Sequence, residues 1–315
     1  MTRFEHRPVM VDEVVGLFEP VPSGTVVDAT VGGGGHAAAI LARNPRVSIL
    51  GLDRDAEAIG AAAESLAGFG DRVTLRHVRF DALTDTMHEL RLDTIAGALF
   101  DLGVSSPQFD HAERGFSYRH EAPLDMRMDQ RAPSTAWNLV NETNEHDLAR
   151  ILRTNSDERY ATRIARAIVA ARPIDTTTQL ASVIRDAIPA PARRRGGHPA
   201  KRTFQALRIE VNEELAVLPD AIDQAIDALE PGGRCVVLSY HSGEDRIVKA
   251  RFRAAATGGC TCPPGLPCHC GATPTVRELR PLKRRPRPVE SAANPRAESA
   301  VLRAVEKIEP QKVAS

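Results

Sequence analysis

The sequence predicts an α/β fold, a doubly wound and mostly parallel sheet with an inserted all-helical domain. In the first hundred residues, short apolar runs alternate with helical stretches, as in parallel βαβ units that carry helices on both faces of a sheet. Residues 134–190 then show helical patterns and no convincing strand. An apolar strand returns at residues 234–240, so we interpret the helical region as an insertion.

The N-terminal strands are predicted where apolar runs are bounded by Gly, Pro or Asn. They cover residues 25–30, 47–52, 72–78 and 94–100. A helix at residues 36–43 ends before Pro45, because proline blocks its continuation. The next helix, at residues 53–67, is alanine-rich and stops at Gly68.

Helices of the insertion are predicted at residues 145–153, 157–171 and 177–188. Thr177 or Thr178 is a candidate N-cap, since threonine accepts the N–H groups at a helix start. Residues 203–230 continue as helix with Pro219 as a candidate break, and residues 300–307 alternate like an edge strand. The predicted domain organisation has a first part at 1–115, an inserted helical substrate-recognition domain at 116–205 and a second part at 206–315.

Composition excludes several classes of protein. The 315 residues include 41 basic and 41 acidic side chains, with 42 % hydrophobic and 26 % charged residues, the balance of a soluble globular protein. No apolar run approaches the roughly 20 residues of a membrane helix, and the start of the chain lacks the apolar core of a secretory signal. Five cysteines are too few for a disulfide-stapled fold. We therefore expect a cytoplasmic globular protein that does not associate with membranes.

Charge is segregated along this neutral chain. The segment 193–208 holds six Lys/Arg and no acid, and the segment 277–287 holds six more with Glu278 as its one acid. One such run is usually a solvated face, whereas two basic segments favour a polyanionic partner. Because only 4 % of the residues are aromatic, recognition of shape and phosphates is favoured over base stacking.

A glycine run follows the first predicted strand, and an acid ends the second. Gly32 to Gly35 would let the backbone approach a ligand at a helix start, and Asp53 lies nineteen residues past Gly34, where an acid suits ribose hydroxyls. This predicts a cofactor that contains a nucleoside. The spacing Gly32-x-Gly34-x-x-Ala37 also satisfies the dinucleotide fingerprint, so an NAD-type oxidoreductase stays open. Asp28, three residues before Val31, instead resembles the Asp-x-x-x-Gly-x-Gly loop of S-adenosylmethionine methyltransferases.

Asp101 follows the fourth predicted strand, and ligands bind at the carboxyl ends of such strands in open α/β sheets. Beside the glycine loop and Asp53, a role in the site is favoured over simple turn capping. This position is where amino-group methyltransferases keep an Asp/Asn-Pro-Pro-aromatic tetrapeptide, which the chain lacks. The residues here therefore leave the methyl acceptor open.

Along nearly its whole length the chain resembles the bacterial small-subunit ribosomal RNA cytosine-N4 methyltransferases, the RsmH or MraW family. The motifs that carry the resemblance are His6-Arg-Pro-Val-Met, Asp28-Ala-Thr-Val-Gly-Gly-Gly-Gly-His, Asp101-Leu-Gly-Val-Ser-Ser-Pro-Gln, Arg114-Gly-Phe-Ser-Tyr, Pro123-Leu-Asp-Met-Arg-Met, Asn155-Ser-Asp-Glu-Arg-Tyr, Lys201-Arg-Thr-Phe-Gln-Ala-Leu-Arg-Ile-Glu-Val-Asn, Ser239-Tyr-His-Ser and Asn294-Pro-Arg. Many motifs in the right order are far more specific than any single one. Two departures are visible: Gly243 replaces the family's usual leucine, and the cysteine segment is one residue short.

The resemblance implies a class I, Rossmann-like methyltransferase fold with S-adenosylmethionine as methyl donor. The implied acceptor is a cytosine in the decoding region of 16S ribosomal RNA, within the small ribosomal subunit. The implied cofactor contacts are Gly34, Gly35, His36, Asp53, Phe80, Asp101 and Gln108. Asp81, beside Phe80, is a candidate for the adenine amine on the residues alone.

The acceptor amine of cytosine is a poor nucleophile because its lone pair is delocalised into the ring. An oxygen that accepts its N–H would favour pyramidalisation and stabilise the developing positive charge, and we assign this catalytic role to Asp101, through its carboxylate or its backbone carbonyl. Tyr240 and Phe116 are candidates to stack on an extruded base, although each type of residue is more often part of a core. His241 is as often a plain loop residue as a proton carrier.

Four cysteines and one histidine lie within residues 260–270. The positions are Cys260, Cys262, Cys268, His269 and Cys270. Such clustering favours zinc over disulfides, yet Cys-x-Cys is a less usual spacing for zinc ligands than Cys-x-x-Cys. A structural zinc site and an exposed redox-variable segment therefore both stay open. We assign no metal ligand from the sequence. Cys235 is predicted to be a core residue.

Two function classes besides an RNA methyltransferase are kept open. The NAD-type oxidoreductase requires nicotinamide binding. A non-catalytic RNA-binding assembly factor would have no need of the glycine loop, Asp53 and Asp101 together. DNA as the acceptor is disfavoured by the missing tetrapeptide and by the whole-chain resemblance.

Overall fold

The computed structural model describes residues 8–103, 111–193, 197–263, 269–281, 283–288, 290 and 295–309. The chain divides into two compact units, Met1–Gly103 with Val217–Ser315, and Val104–Ala216. The first unit contains the sheet. The described part of the second unit is built from helices, with one isolated bridge between Pro123 and Thr176 as its only β pairing.

One sheet contains all strands of the described residues. In chain order they are β1 (Gly24–Asp28), β2 (Val47–Asp53), β3 (Val73–His77), β4 (Ile95–Asp101), β5 (Leu229–Ser239), β6 (Val276–Glu278) and β7 (Val301–Lys307). Their order across the sheet is β3-β2-β1-β4-β5-β7-β6. Strands β1 to β5 are parallel and β7 runs antiparallel to both of its neighbours, which confirms the predicted mostly parallel sheet. The prediction of an edge strand at 300–307 is wrong, because β6 pairs with the outer side of β7.

The α-helices are distributed over both units. In chain order they are α1 (Val11–Phe18), α2 (Gly35–Arg43), α3 (Ala56–Leu66), α4 (Leu83–Glu89), α5 (Ala136–Glu142), α6 (Glu145–Ser156), α7 (Ala161–Ala170), α8 (Thr177–Ala187), α9 (Ala190–Arg193), α10 (Lys201–Val211), α11 (Glu214–Ala228) and α12 (Ser242–Thr257). The predicted all-helical insertion is therefore confirmed for the described residues.

Successive side chains of each central strand enter different apolar clusters, as the alternation of a strand requires. Val26 and Leu99 pack with α1, α2 and α3. Their neighbours Val27 and Phe100 pack with α4, α11 and α12. Since both faces of the strands are buried, the strands consist of continuous apolar runs, and this is why the sequence shows them clearly.

Two predicted helix boundaries are wrong. The N-cap of α8 is Thr176, whose side chain accepts the N–H of Gln179 in a capping box; Thr177 is instead buried and its hydroxyl donates to the carbonyl of His120. The break between α10 and α11 lies at residues 212–213, and Pro219 is accommodated inside α11.

Tertiary hydrogen bonds fix that break. The side-chain amide of Asn212 accepts the N–H of Met128 and donates to the carbonyls of Met126 and Arg208, each at 2.8 Å. Glu213 follows in the left-handed region, with a φ of 52°. Because two partners of Asn212 are distant in sequence, local pattern alone does not reveal the break.

Within the described residues, no helix combines the length and the apolar character that a membrane span requires.

Candidate active site at the carboxyl ends of β1, β2 and β4

Gly33, Gly34 and Gly35, three of the four consecutive glycines, differ from one another in what surrounds them. Gly34 adopts a φ of 81° at the N-terminus of α2, and a Cβ there would lie 3.0 Å from Cγ of Leu66. A Cβ on Gly35 would lie 2.4 Å from Cγ of Pro8. At Gly33 a Cβ would meet no described atom within 4 Å. Packing and conformation therefore require Gly34 and Gly35, whereas no described residue stands against Gly33.

Asp53, at the end of β2, holds this loop in place. One carboxylate oxygen accepts the N–H of Gly32 and the other accepts the N–H of Asp55, both at 2.9 Å. Burial raises the pKa of Asp53 to about 6, against the lowering effect of these two N–H groups. Each oxygen retains a second lone pair, so the carboxylate has capacity for two hydroxyl donors.

Phe80 lies in a single 3-10 turn, Phe80–Ala82, just after β3. Its ring stands edge-on to that of Phe100 with centroids 5.8 Å apart, and the guanidinium of Arg54 lies 6.0 Å from the ring centroid. Asp81 is bound by Arg79 through two hydrogen bonds of 2.6 Å. Although burial would raise the pKa of Asp81, the guanidinium outweighs it and lowers that pKa. The carboxylate proposed for the adenine amine thus already has a strong partner.

Asp101 ends β4 and its groups are held at several points. Its N–H donates to Oγ1 of Thr30 at 2.7 Å, and its Oδ1 accepts the hydroxyl of Tyr240 at 2.6 Å. Its Oδ2 lies 3.3 Å from Nε2 of His36, an ion-pair distance without a well-directed hydrogen bond. The side chain is 24 % exposed, so a ligand has access to a carboxylate that is fixed in orientation. Gln108 lies outside the described residues.

His36 and Asp28 lie beside this carboxylate in the buried part of the site. His36 is 5 % exposed, and its Nδ1 has no hydrogen-bond partner among the described residues. Burial would lower the pKa of His36, but the carboxylates of Asp101 and Asp28 outweigh burial and raise it. Burial raises the pKa of Asp28 to about 7. Sequence reasoning treated Asp28 only as a marker of the loop.

We expect replacement of Asp28 by asparagine to change how stability depends on pH. Asp28 binds its proton more tightly in the folded protein than in the unfolded chain. The folded protein therefore carries an extra proton between pH about 4 and about 7. Because of this extra proton, Asp28 makes the free energy of unfolding fall as the pH rises through that window. The free energy of unfolding of Asp28→Asn, relative to the parent protein, should therefore rise between pH 5 and pH 8. Urea unfolding at both pH values measures this difference. The exposed control Asp71→Asn should show none, and a difference for Asp28→Asn that does not change with pH would contradict the assignment.

Tyr240, a candidate to stack on an extruded base, is held in the site by its polar groups. Its hydroxyl donates to Asp101, and its N–H donates to Glu244 at 2.7 Å. Stacking on a base stays a prediction. His241 is the N-cap of α12 in a capping box with Glu244, so its structural role is helix capping. Phe116 is 6 % exposed in the core of the second unit. For the role of Tyr240, the available signal in the sequence was the Ser239-Tyr-His-Ser motif at the end of a predicted apolar strand.

Parts of both basic segments are neutralised within the chain. The ion pairs include Arg193–Asp186, Arg208–Glu214, Arg277–Glu306 and Arg287–Asp12. Arg208 is only 13 % exposed and its pair is nearly enclosed, so this guanidinium serves the fold. Exposed basic residues include Lys201 and Arg202 in one segment and Lys283 and Arg285 in the other. The guanidinium of Arg202 donates to a neutral carbonyl, that of Asp157, and keeps its charge.

The fold and this site define a class of protein. A sheet of this order, with a glycine turn after β1 and acids at the ends of β2 and β4, is the class I methyltransferase architecture implied by the sequence resemblance. The residues fit S-adenosylmethionine. No described atom would meet a Cβ at Gly33, a buried histidine nitrogen lacks a partner among the described residues, and the accessible carboxylate of Asp101 suits a cationic sulfonium.

Comparisons with known proteins give the family. The model of the MraW methylase family matches residues 3–308. A ribosomal RNA small subunit methyltransferase H from Symbiobacterium thermophilum is 51 % identical over 311 residues, covering 97 % of this chain and 98 % of the relative. Another, from Acidothermus cellulolyticus, is 54 % identical over 312 residues, covering 96 % and 94 %. The chain belongs to the MraW methylase family and is an S-adenosylmethionine-dependent methyltransferase.

Solved structures are more distant. A putative methyltransferase from Streptococcus mutans in complex with SAH covers 96 % of this chain and 99 % of its own, at 13 % identity and a TM-score of 0.44. This likeness adds nothing to the assignment of site or substrate. The family also decides between the two cofactors that the glycine spacing left open, and the NAD-type interpretation is abandoned.

Proposed function

We propose that this protein methylates the exocyclic N4 amine of a cytosine in the decoding region of 16S ribosomal RNA, within the small ribosomal subunit. The observation that carries the proposal is the match over almost the whole chain to relatives named ribosomal RNA small subunit methyltransferase H. The motifs that resemble cytosine-N4 enzymes support the acceptor atom. Such a substrate assigns the reaction to the cytoplasm.

The donor supplies an electrophilic methyl group, so the chain must mainly position two reactants and manage the charge of the amine. We assign cofactor contacts to Gly34, Gly35 and His36 in the loop and to Asp53 at the ribose. Phe80 contributes to the adenine side, and Gln108 is retained from the resemblance.

Asp101 is assigned as the catalytic residue. Its carboxylate is accessible, and Tyr240 and Thr30 hold its orientation. As an acceptor for the amine N–H, it would favour the pyramidal nitrogen needed for attack and stabilise the positive charge that develops there. Tyr240 is assigned as a positioning residue that acts through Asp101.

Replacing Tyr240 by phenylalanine is expected to lower kcat by about one to two orders of magnitude, because a hydrogen bond to a charged group contributes roughly 1.5–3 kcal/mol. KM for S-adenosylmethionine should change much less, since the hydroxyl lies 2.6 Å from the Asp101 carboxylate that is assigned to the transfer step. A purely structural role would instead lower the free energy of unfolding and leave kcat of the folded variant unchanged. Thr25→Val, which removes a hydroxyl that contacts Ser48 near the amino end of β1, is the matched control and should leave kcat unchanged.

We assign RNA recognition to the helical insertion, predicted at 116–205 and contained in the compact unit Val104–Ala216. Lys201 and Arg202 are exposed at the start of α10, and the hydrogen bond of Arg202 to a neutral carbonyl leaves its charge for a phosphate. Basic residues around Lys283 and Arg285 provide a second segment in the other unit. Binding through phosphates predicts a strong dependence of affinity on salt.

The direct test uses small ribosomal subunits from cells that lack this methylation. Subunits, the corresponding deproteinised 16S RNA and cytosine-containing duplex DNA are each incubated with methyl-labelled donor, and the labelled nucleoside is identified by mass spectrometry. Label in N4-methylcytidine of the subunit RNA at one site is the expected result. Label on another atom or in DNA only would overturn the proposed acceptor. No label despite donor binding would favour the assembly-factor alternative.

A further inference from the structure

We propose that Cys260, Cys262 and Cys270 bind a structural zinc ion in the segment between α12 and β6. Their three sulfur atoms all lie within 4.8 Å of one another. Cys260 and Cys262 are half-buried and Cys270 is exposed. Three thiols that converge from two ends of one segment form a ligand set, whereas a disulfide would use only two of them.

The sulfur spacing fits a tetrahedral zinc site. With Zn–S bonds of about 2.3 Å, two thiolates at tetrahedral positions lie roughly 3.8 Å apart. The sulfurs of Cys260 and Cys270 are 3.5 Å apart, close to this value and far from the roughly 2.0 Å of a disulfide bond. All three thiols can approach such spacing with small side-chain rotations, since none of their sulfurs is more than 4.8 Å from another.

The thiols of the described residues supply three of the four positions of a tetrahedral site. His269 is among the described residues, yet its ring nitrogens are not part of the converging group. Cys268 lies outside the described residues, so the fourth position is assigned to no residue.

The backbone on both sides of the cysteines is tightly fixed. Gly258 ends α12 with a φ of 60°, and a Cβ there would lie 2.5 Å from the backbone of Thr273. The N–H of Thr275 donates to the carbonyl of Ala255 at 3.0 Å. The chain therefore leaves α12, passes the cysteines and returns to the same helix end before it enters β6. A metal that joins Cys260 to Cys270 would close this loop and hold the edge strand of the sheet.

The site does not belong to the methyl-transfer machinery, so it is tested without activity. Protein purified without added zinc or chelator should contain about one zinc ion per chain, measured by inductively coupled plasma mass spectrometry. Cys260→Ser, Cys262→Ser and Cys270→Ser should each reduce this at least about tenfold. The matched control is Cys235→Ala, because Cys235 is fully buried on β5, and it should keep its zinc.

A second measurement uses the parent protein alone, in case the serine variants do not fold. A thiol-modifying mercurial should release the zinc into a chromogenic chelator, and cobalt exchanged into the site should give thiolate-to-cobalt charge-transfer absorption. Zinc below about a tenth of an equivalent, both as purified and after loading and desalting, would overturn the proposal. Full zinc content in the three serine variants, or a cobalt spectrum without thiolate bands, would overturn the assigned ligands.

Discussion

Asp101→Ala is expected to lower the rate of methyl transfer by about two to three orders of magnitude, with the fold intact. Removing one preorganised group that stabilises transition-state charge typically costs this much. The carboxylate is fixed for such a role by the hydroxyl of Tyr240 and the side chain of Thr30. The measurement is single-turnover methylation of unmethylated small subunits at saturating donor.

Because Asp101 is also assigned as a cofactor contact, binding and chemistry must be separated. Calorimetry gives the donor affinity of the variant, and the rate at saturation then reports transfer alone. Asp93→Ala is the matched control, since Asp93 is exposed just before the same strand and should retain the parent rate. Near-normal turnover of a folded Asp101→Ala protein would eliminate the carboxylate as the group that assists transfer.

Gly115→Ala should destabilise the second unit by about 3 kcal/mol. Gly115 has a φ of 74°, where alanine costs roughly 1–2 kcal/mol, and its Cβ would lie 2.3 Å from the carbonyl oxygen of Pro123. That oxygen is backbone and cannot rotate away, so the chain must shift, which typically costs about 1–3 kcal/mol more. The shift would strain the neighbouring hydrogen bond from the N–H of Met126 to the carbonyl of Arg114.

The chain offers a built-in probe for this experiment. Its single tryptophan, Trp137, lies in α5 of the second unit, so urea unfolding followed by tryptophan fluorescence reports on that unit. Gly197→Ala is the control, because a Cβ there meets no described atom within 4 Å, and it should change stability by less than about 0.5 kcal/mol. Equal stability of the two variants would show that the turn at Gly115 tolerates a side chain.

Donor binding and RNA recognition are assigned to different units of the chain. If the second unit recognises RNA, Gly115→Ala at a temperature where that unit is partly unfolded should lose methylation and keep donor binding. The residues assigned to the donor all lie in Met1–Gly103, apart from Gln108 outside the described part. Parallel loss of both activities would contradict this assignment of roles.

The sheet, the helical insertion and the main acids of the site could all be predicted from the order of the amino acids. Strands buried on both faces are continuous apolar runs, and parallel strands place their carboxyl ends on one edge, so Asp53 and Asp101 were predictable from position. The glycine run indicated a ligand loop, although it did not distinguish the glycines that packing requires from Gly33, where a Cβ would meet no described residue.

The contacts of Asp101 and the charges that stay available for a ligand became known only from the packing of the chain. Tyr240 follows β5 and lies 139 positions from Asp101 along the chain, and β5 pairs directly with β4, so a hydrogen bond between them has no local signature. Likewise Arg208 belongs to a basic segment of the sequence, and its pair with Glu214 is visible only in the fold. Local spacing encodes backbone conformation and burial, whereas partners distant in sequence are chosen by how the strands pair and the helices pack.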